Sequence, residues 1–174
     1  MTKGDGKMMS RGFATIAMVM TLGACSGEPA GTDNAAEQVA AALTPGEYEL
    51  VAKVDQLRST DKTTPGTKSK VGADPVTTRT CVGPDNKIEP AAFIEAGETC
   101  TASDSYMKNG RMNLQYKCNR PGKGQLTQLV DGDFKADSFT GTVRTATYYV
   151  GSGDYELVRS VTAKRVGQCA TKSG

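Results

Sequence analysis

Residues 101–118 read TASDSYMKNGRMNLQYKC and contain the strongest local structural signal in the chain. Asn109-Gly110 separates two segments, Thr101–Met107 and Met112–Cys118, whose side chains alternate in character. Both central residues of a two-residue type I′ turn need positive φ, and Asn-Gly is the pair that adopts it most readily. The stretch therefore predicts an antiparallel β-hairpin.

Short β-rich segments continue on both sides of this hairpin, separated by turn residues. The predicted strands are 47–55, 75–82, 101–107, 112–118, 126–130, 134–136, 139–150 and 155–166, and Pro90–Gly97 is predicted to be a short helix. We predict an all-β fold with minor α content: a single antiparallel meander sheet of about eight strands, strongly curled or a partly open barrel. Six Tyr and four Phe are few for the two inner faces of a sandwich.

The period of two also predicts which side of each strand is buried, because alternate side chains point to opposite faces. The side chains assigned to the one dry face are Tyr48, Leu50, Val54, Met112, Leu114 and Tyr116. Those assigned to water are Glu49, Lys53, Asn113, Gln115 and Lys117.

The N-terminal 24 residues have the pattern of a lipoprotein signal peptide. A basic front precedes Gly12–Leu22, an uncharged and mostly apolar run that is too short to span a bilayer. Leu22-Gly23-Ala24-Cys25 then matches a bacterial lipobox. We expect cleavage before Cys25, lipidation of its thiol and acylation of its new amine, which together anchor a protein stably.

The predicted organisation is a signal peptide (1–24), a flexible tether (25–46), an antiparallel β domain (47–169) and a short tail (170–174). Within the tether, Asn34 and Glu37 have the spacing of a capping box, which is compatible with a short helix within 34–43. The residue after the lipidated Cys25 is Ser26 rather than Asp. This favours sorting of the lipoprotein to the outer membrane, with its domain facing the periplasm. The expected contact is with the membrane, through the acyl chains.

Charge and composition exclude several classes of function. Cleavage removes three of the 21 basic and one of the 19 acidic residues, so the remaining 150 residues have a formal net charge of zero. A chain of balanced charge gives little support for nucleic-acid binding. The chain has no His, which excludes a Ser-His-Asp triad and a His-ligated zinc. Asp104, on the predicted face of Cys100, Ala102 and Tyr106, is a candidate buried carboxylate, without a second acid placed beside it.

Four cysteines remain after Cys25, and an exported chain is expected to oxidise them. Three pairings are possible. A bulge in the hairpin would set Cys100 opposite Cys118, so we predict disulfides Cys100–Cys118 and Cys81–Cys169. No Cys-x-x-Cys pair is present, so we expect neither a metal site nor a redox-active dithiol.

Several motifs together resemble the DUF3617 domain family of small exported proteobacterial proteins, often lipoproteins, of unknown function. They are Pro45-Gly-Glu-Tyr-Glu49, Thr78-Arg-Thr-Cys81, Cys100, Asn109-Gly110, Cys118 and Ala163-Lys-Arg-Val-Gly-Gln-Cys169. Tyr48 stands where relatives commonly have Trp, and Gln168 where an acid is usual. The resemblance implies no catalytic residue and no cofactor.

These observations favour a non-enzymatic envelope lipoprotein that binds a hydrophobic ligand or an envelope partner on the concave face of its sheet. The alternatives are a periplasmic hydrolase that uses Asp or Glu residues and a purely structural surface lipoprotein. A filled inner face would favour the structural alternative.

Overall fold

The computed structural model describes residues 40–170, which belong to one compact unit. This part of the chain consists of seven β-strands, one 3-10 turn and their connections. The strands are β1 (Gly46–Ser59), β2 (Val76–Val82), β3 (Thr99–Lys108), β4 (Arg111–Arg120), β5 (Gly124–Lys135), β6 (Ser138–Tyr149) and β7 (Tyr155–Gly167), and the 3-10 turn is Pro90–Ala92.

All seven strands form one antiparallel sheet in the order β2-β1-β7-β6-β5-β4-β3, curled into a half-barrel. The predicted all-β class and the curled antiparallel sheet are confirmed. Strands β3 to β7 form a meander, and β1 then lies against β7, so the first and last strands are neighbours. We call the end with the β3–β4 turn the hairpin end, and the end with the β4–β5 and β6–β7 turns the far end.

The sheet has one strand fewer than the approximate number predicted, because β5 continues through Asp131-Gly132-Asp133. Gly132 lies opposite Gly141 on β6. A Cβ atom on Gly141 would lie 2.5 Å from the carbonyl oxygen of Asp131. Strands β5 and β6 can therefore approach this closely only because Gly132 and Gly141 have no side chains. The two glycines therefore extend the ladder where the Asp-Gly-Asp sequence indicated a turn.

The β3–β4 hairpin has the predicted two-residue turn. Asn109 and Gly110 have φ values of 52° and 72°, as a type I′ turn requires. A bulge between Ala102 and Asp104 then shifts the register by one residue and places Cys100 opposite Cys118.

The same bulge overturns the prediction for Asp104. Without it, Asp104 would share the face of Ala102, but one extra residue moves Asp104 to the outer face, opposite Gln115. The Asp104 side chain is exposed, and its carboxylate accepts a hydrogen bond from the adjacent Ser105 N–H at 2.8 Å. Asp104 is therefore not a buried carboxylate.

The two disulfides join the pairs expected from the sequence. Cys100–Cys118 links β3 to β4 across the bulged register, with a Cα–Cα distance of 4.0 Å. Cys81–Cys169 has a Cα–Cα distance of 5.5 Å. Cys169 follows β7 and Cys81 belongs to β2, so this disulfide joins two parts of the sheet that lie on either side of β1. This bridge fastens edge strand β2 to the rest of the sheet.

The hydrophobic core lies on the inner face of the half-barrel, where the sequence pattern placed it. Tyr48 and Leu50 are fully buried, and Met112, Leu114 and Tyr116 are each 2% exposed. Val54 packs against the same core but is half-buried, and a bulge between Val54 and Gln56 then interrupts the alternation of β1. Of the side chains predicted to face water, Lys53, Gln115 and Lys117 are exposed, and Glu49 and Asn113 are partly exposed.

The inner face is covered by residues 83–98, the connection between the two edge strands. Ile88 and Phe93 are buried in the core, and Phe93 packs against Tyr116 and Phe139 with ring centroids 6.0 and 6.3 Å apart. The helix predicted over Pro90–Gly97 is a single 3-10 turn, because this connection must extend along the sheet to reach β3. The chain therefore fills the concave surface with its own side chains.

Residues 40–46, predicted as the end of the tether, pack against the hairpin end of the sheet. Leu43 is 3% exposed, and its N–H donates a hydrogen bond to Asn86 Oδ1 at 3.0 Å. Gly110 N–H donates a hydrogen bond to the carbonyl oxygen of Ala40. Several predictions fall on residues outside the described range. They are the signal peptide (1–24), the lipidated Cys25, residues 25–39 of the predicted tether, most of the short helix predicted within 34–43, and residues 171–174 of the tail.

Candidate functional site

The far end of the half-barrel holds a cluster of charges that are largely shielded from solvent: Glu95, Glu98 and Arg120. Both glutamates follow the 3-10 turn in residues 83–98, the connection over the inner face that we call the crossing segment. Arg120 is the last residue of β4. Arg120 Nη2 lies 2.5 Å from Glu95 Oε2 and 2.6 Å from Glu98 Oε1. The side chain of Glu98 is completely buried, whereas those of Glu95 and Arg120 are 17% and 14% exposed.

Polar groups from other elements engage the remaining carboxylate positions. Thr67 and Ser69, in the loop after β1, donate hydrogen bonds to Glu95 Oε1 at 2.7 and 2.6 Å. Tyr155 OH donates to Glu95 Oε2 at 3.2 Å. Glu98 Oε2 accepts hydrogen bonds from Glu95 N–H and Gln128 Nε2. Each of the four carboxylate oxygens therefore has a donor.

The loop after β1 is held against the same end of the sheet. Arg120 Nη1 donates to the carbonyl oxygen of Gly66 at 2.8 Å, and Gly66 N–H donates to Gly153 O at 2.8 Å. Asp61 Oδ2 accepts hydrogen bonds from the N–H groups of Gly153 and Asp154. Through these contacts the charged cluster joins the loop, the crossing segment and the β6–β7 turn.

Burial and pairing act in opposite directions on the two glutamates. Burial favours the neutral form of Glu95, but hydrogen bonds from Ser69, Thr67 and Arg120 outweigh it and lower its pKa below the usual range. Burial raises the pKa of Glu98, with partial opposition from the Glu95 N–H and Arg120. Burial also lowers the pKa of Arg159, which donates a hydrogen bond to the carbonyl oxygen of Phe93.

This arrangement is suited to holding elements together. Glycoside hydrolysis needs one carboxyl group to donate a proton and a second to attack or to activate water. Here the oxygens of Glu95 and Glu98 already accept hydrogen bonds from within the protein, and Glu98 is removed from solvent. Two carboxylates shared by one guanidinium instead form a buried junction between the loop and the sheet.

Sequence reasoning did not identify this cluster, because its members come together through tertiary contacts. Glu95 and Glu98 are separated from Arg120 by 25 and 22 positions. The only local signal was that Glu95 and Glu98 lie three positions apart before β3. Such spacing of acidic residues is common in exposed segments and does not indicate a site. Of the predicted site residues, the four paired cysteines lie as expected and Asp104 lies on the outer surface.

We predict that Arg120→Met lowers the free energy of unfolding by about 3 kcal/mol, because it leaves the buried Glu98 and the largely shielded Glu95 without their cation. The matched control is Arg58→Met, which removes an ion pair with Glu156 whose side chains are 65% and 44% exposed. That change should cost less than about 1 kcal/mol. Urea denaturation of both variants measures the difference, and equal losses would contradict a stabilising role for the buried cluster.

Residues 40–170 contain neither a metal-ligand cluster nor a membrane-spanning helix. No group of three or more His, Cys, Asp or Glu side chains in this range could hold a metal ion. Nor does the described chain contain a helix of the length and apolar character needed to cross a membrane.

Comparison with known proteins identifies the domain. Neither the curated proteins nor the solved structures include a match to the chain. A family model described as a protein of unknown function, DUF3617, matches residues 43–169. The match begins at the buried Leu43 and ends at Cys169 of the second disulfide, so it spans the whole sheet. The chain therefore belongs to the DUF3617 family.

Proposed function

We propose that this protein is a non-enzymatic lipoprotein of the bacterial cell envelope, anchored through Cys25 in the outer membrane and facing the periplasm. The observation that carries the proposal is the pair of disulfides, which engages four of the five cysteines of the chain. Structural disulfides are typical of exported proteins, because cytosolic thiols are kept reduced. The remaining cysteine is the one that follows Leu22-Gly23-Ala24 in the lipobox pattern.

The packing of the inner face supports a scaffold rather than an enzyme. Ile88 and Phe93 lie where a concave sheet could otherwise admit a large apolar ligand. The paired glutamates at the far end are engaged with Arg120. At the hairpin end of the described chain lies a pocket of about 290 Å³, bordered by Ala40, Phe134 and Phe139. This volume lies at the lower limit for a small-molecule site.

Lipidation is tested by Cys25→Ala expressed in a bacterial host fed with a labelled palmitate analogue. We expect the wild-type protein to incorporate the label and the variant to remain unprocessed and unlabelled, because it lacks the acceptor thiol. Ser26→Ala keeps the lipobox and serves as the matched control, which should be labelled normally. Equal labelling of Cys25→Ala would refute the anchor.

The sorting part of the proposal is tested separately by fractionating membranes from cells that express the wild-type chain. We expect the protein in the outer-membrane fraction, because Ser26 lacks the charge that retains lipoproteins in the inner membrane of enteric bacteria. Inner-membrane residence would refute the sorting and leave the lipidation result unaffected.

A further inference from the structure

Strand β3 forms one edge of the sheet. Among the described residues it pairs with β4 alone, so one row of its backbone N–H and C=O groups has no neighbouring strand there. The other edge strand, β2, is partly engaged, because Val82 forms an antiparallel bridge with Ile88. A row of edge backbone groups is a template to which another extended chain adds, through the same hydrogen bonds that join strands within a sheet.

The geometry of the hairpin determines which residues of β3 present these groups. The residues that flank a two-residue turn exchange both backbone hydrogen bonds, and hydrogen-bonded and non-hydrogen-bonded pairs then alternate along the strands. Lys108 and Tyr106 therefore direct their backbone groups to β4, whereas Met107 and Ser105 direct theirs to the edge. The Ser105 N–H agrees with this assignment, since it donates a hydrogen bond to the side chain of Asp104.

A bulge between Ala102 and Asp104 confines the regular edge to residues 104–108, and the side chains of this stretch are self-complementary. On the outer face, Asp104 lies two positions before Tyr106 and Lys108 lies two positions after it. An antiparallel copy of the strand, related by a two-fold axis at Tyr106, sets each Asp104 opposite the Lys108 of the other copy. The two tyrosines then form a non-hydrogen-bonded pair, in which opposing side chains are closest.

The backbone groups and the charges select the same register. With the axis at Tyr106, Ser105 lies opposite Met107 of the second copy, so the edge-facing groups of both residues find partners across the axis. An axis at Ser105 sets Asp104 opposite Tyr106, and an axis at Met107 sets it beyond the end of the strand. Both of these registers separate the opposite charges.

We propose that β3 is a homodimer interface, formed by antiparallel pairing of residues 104–108 about a two-fold axis at Tyr106. In the single chain, Asp104 caps the edge-facing N–H of Ser105. In the dimer this N–H pairs with the backbone of the second copy, and the released carboxylate contacts Lys108. A two-fold interface uses the same patch on both copies and closes after two chains. This inference goes beyond the proposed function and does not depend on the lipid anchor.

The test is photocrosslinking of the full-length chain in a bacterial host, with Tyr106→benzoyl-phenylalanine as the reactive variant. Irradiation should join two copies, which are recognised by coexpressing chains with two different affinity tags and isolating adducts that carry both. Tyr148 is the matched control position, because it is also an exposed tyrosine of the outer face but lies on β6, three strands away from β3. The same substitution at Tyr148 should give no two-copy adduct.

Charge reversal in the crosslinking chain tests the register. Asp104→Lys and Lys108→Asp each place like charges opposite one another across the axis, so each should lower the yield of the two-copy adduct by about fivefold or more. The combined variant exchanges the two charges and should restore the yield. Both side chains are exposed, so the thermal melts of all three variants should match that of the wild type.

A two-copy adduct at position 106 that falls in the single reversals and recovers in the combined variant supports the proposal. A two-copy adduct that is insensitive to charge reversal, or equally abundant at position 148, overturns it. So does an adduct within one chain, which would mean that the chain's own segment before residue 40 occupies the edge. An adduct with a different protein, or no adduct at all, overturns it as well.

Discussion

Replacing Leu114 with Asp should lower the free energy of unfolding by about 5 kcal/mol and leave little folded protein. Leu114 is 2% exposed in the centre of β4, between Ser105 of β3 and Val130 of β5. The change removes a buried aliphatic side chain and places an unpartnered carboxyl group in the core, protonated or not. Urea denaturation followed by far-UV circular dichroism measures the loss.

Gln115→Asp is the matched control, because it introduces the same carboxylate one residue away on the exposed face. The new charge would face Asp104 across the hairpin, so we expect a cost of up to about 1 kcal/mol from like-charge repulsion. If both variants unfolded at the same urea concentration, Leu114 would face solvent. The assignment of inner and outer faces would then be wrong.

The double variant Cys81→Ser, Cys169→Ser should lose about 4 kcal/mol of stability, a large share of the 5–15 kcal/mol typical of a domain. The bridge spans 88 positions of sequence, so its removal frees a long loop in the unfolded chain. It also releases edge strand β2 from the end of the chain. The cost should appear as a lower urea midpoint than that of the wild type.

The second disulfide supplies the comparison. Cys100–Cys118 spans 18 positions within one hairpin, so the double variant Cys100→Ser, Cys118→Ser should lose less, about 3 kcal/mol. Both variants should be compared with the oxidised wild type under the same conditions. A Cys81/Cys169 variant as stable as the wild type would contradict the role of the long bridge in holding β2.

Local signals predicted the hairpin and the buried faces because they depend on few residues. Asn109-Gly110 selects its own turn, and alternation assigns Leu114 and Tyr116 to one side of β4 wherever the strand packs. The Cys100–Cys118 pair follows from the hairpin once a bulge is allowed. These features needed no knowledge of the remaining chain.

Local rules were misleading where strands contact one another. Asp131-Gly132-Asp133 reads as a turn, but Gly141 on the neighbouring strand allows β5 to continue. Asp104 has the same sequence parity as Cys100 and Ala102, yet a bulge places it on the outer face. In both cases the partner strand determined the outcome.

Residue spacing and the preferences of short segments were enough to predict the antiparallel sheet, its buried face and the disulfide pairs. The folded chain was needed to show that residues 83–98 cover the concave face and that Glu95 and Glu98 share Arg120. Such groupings depend on the curl and register of the whole sheet, because they join side chains that are distant in sequence and carry no common local pattern.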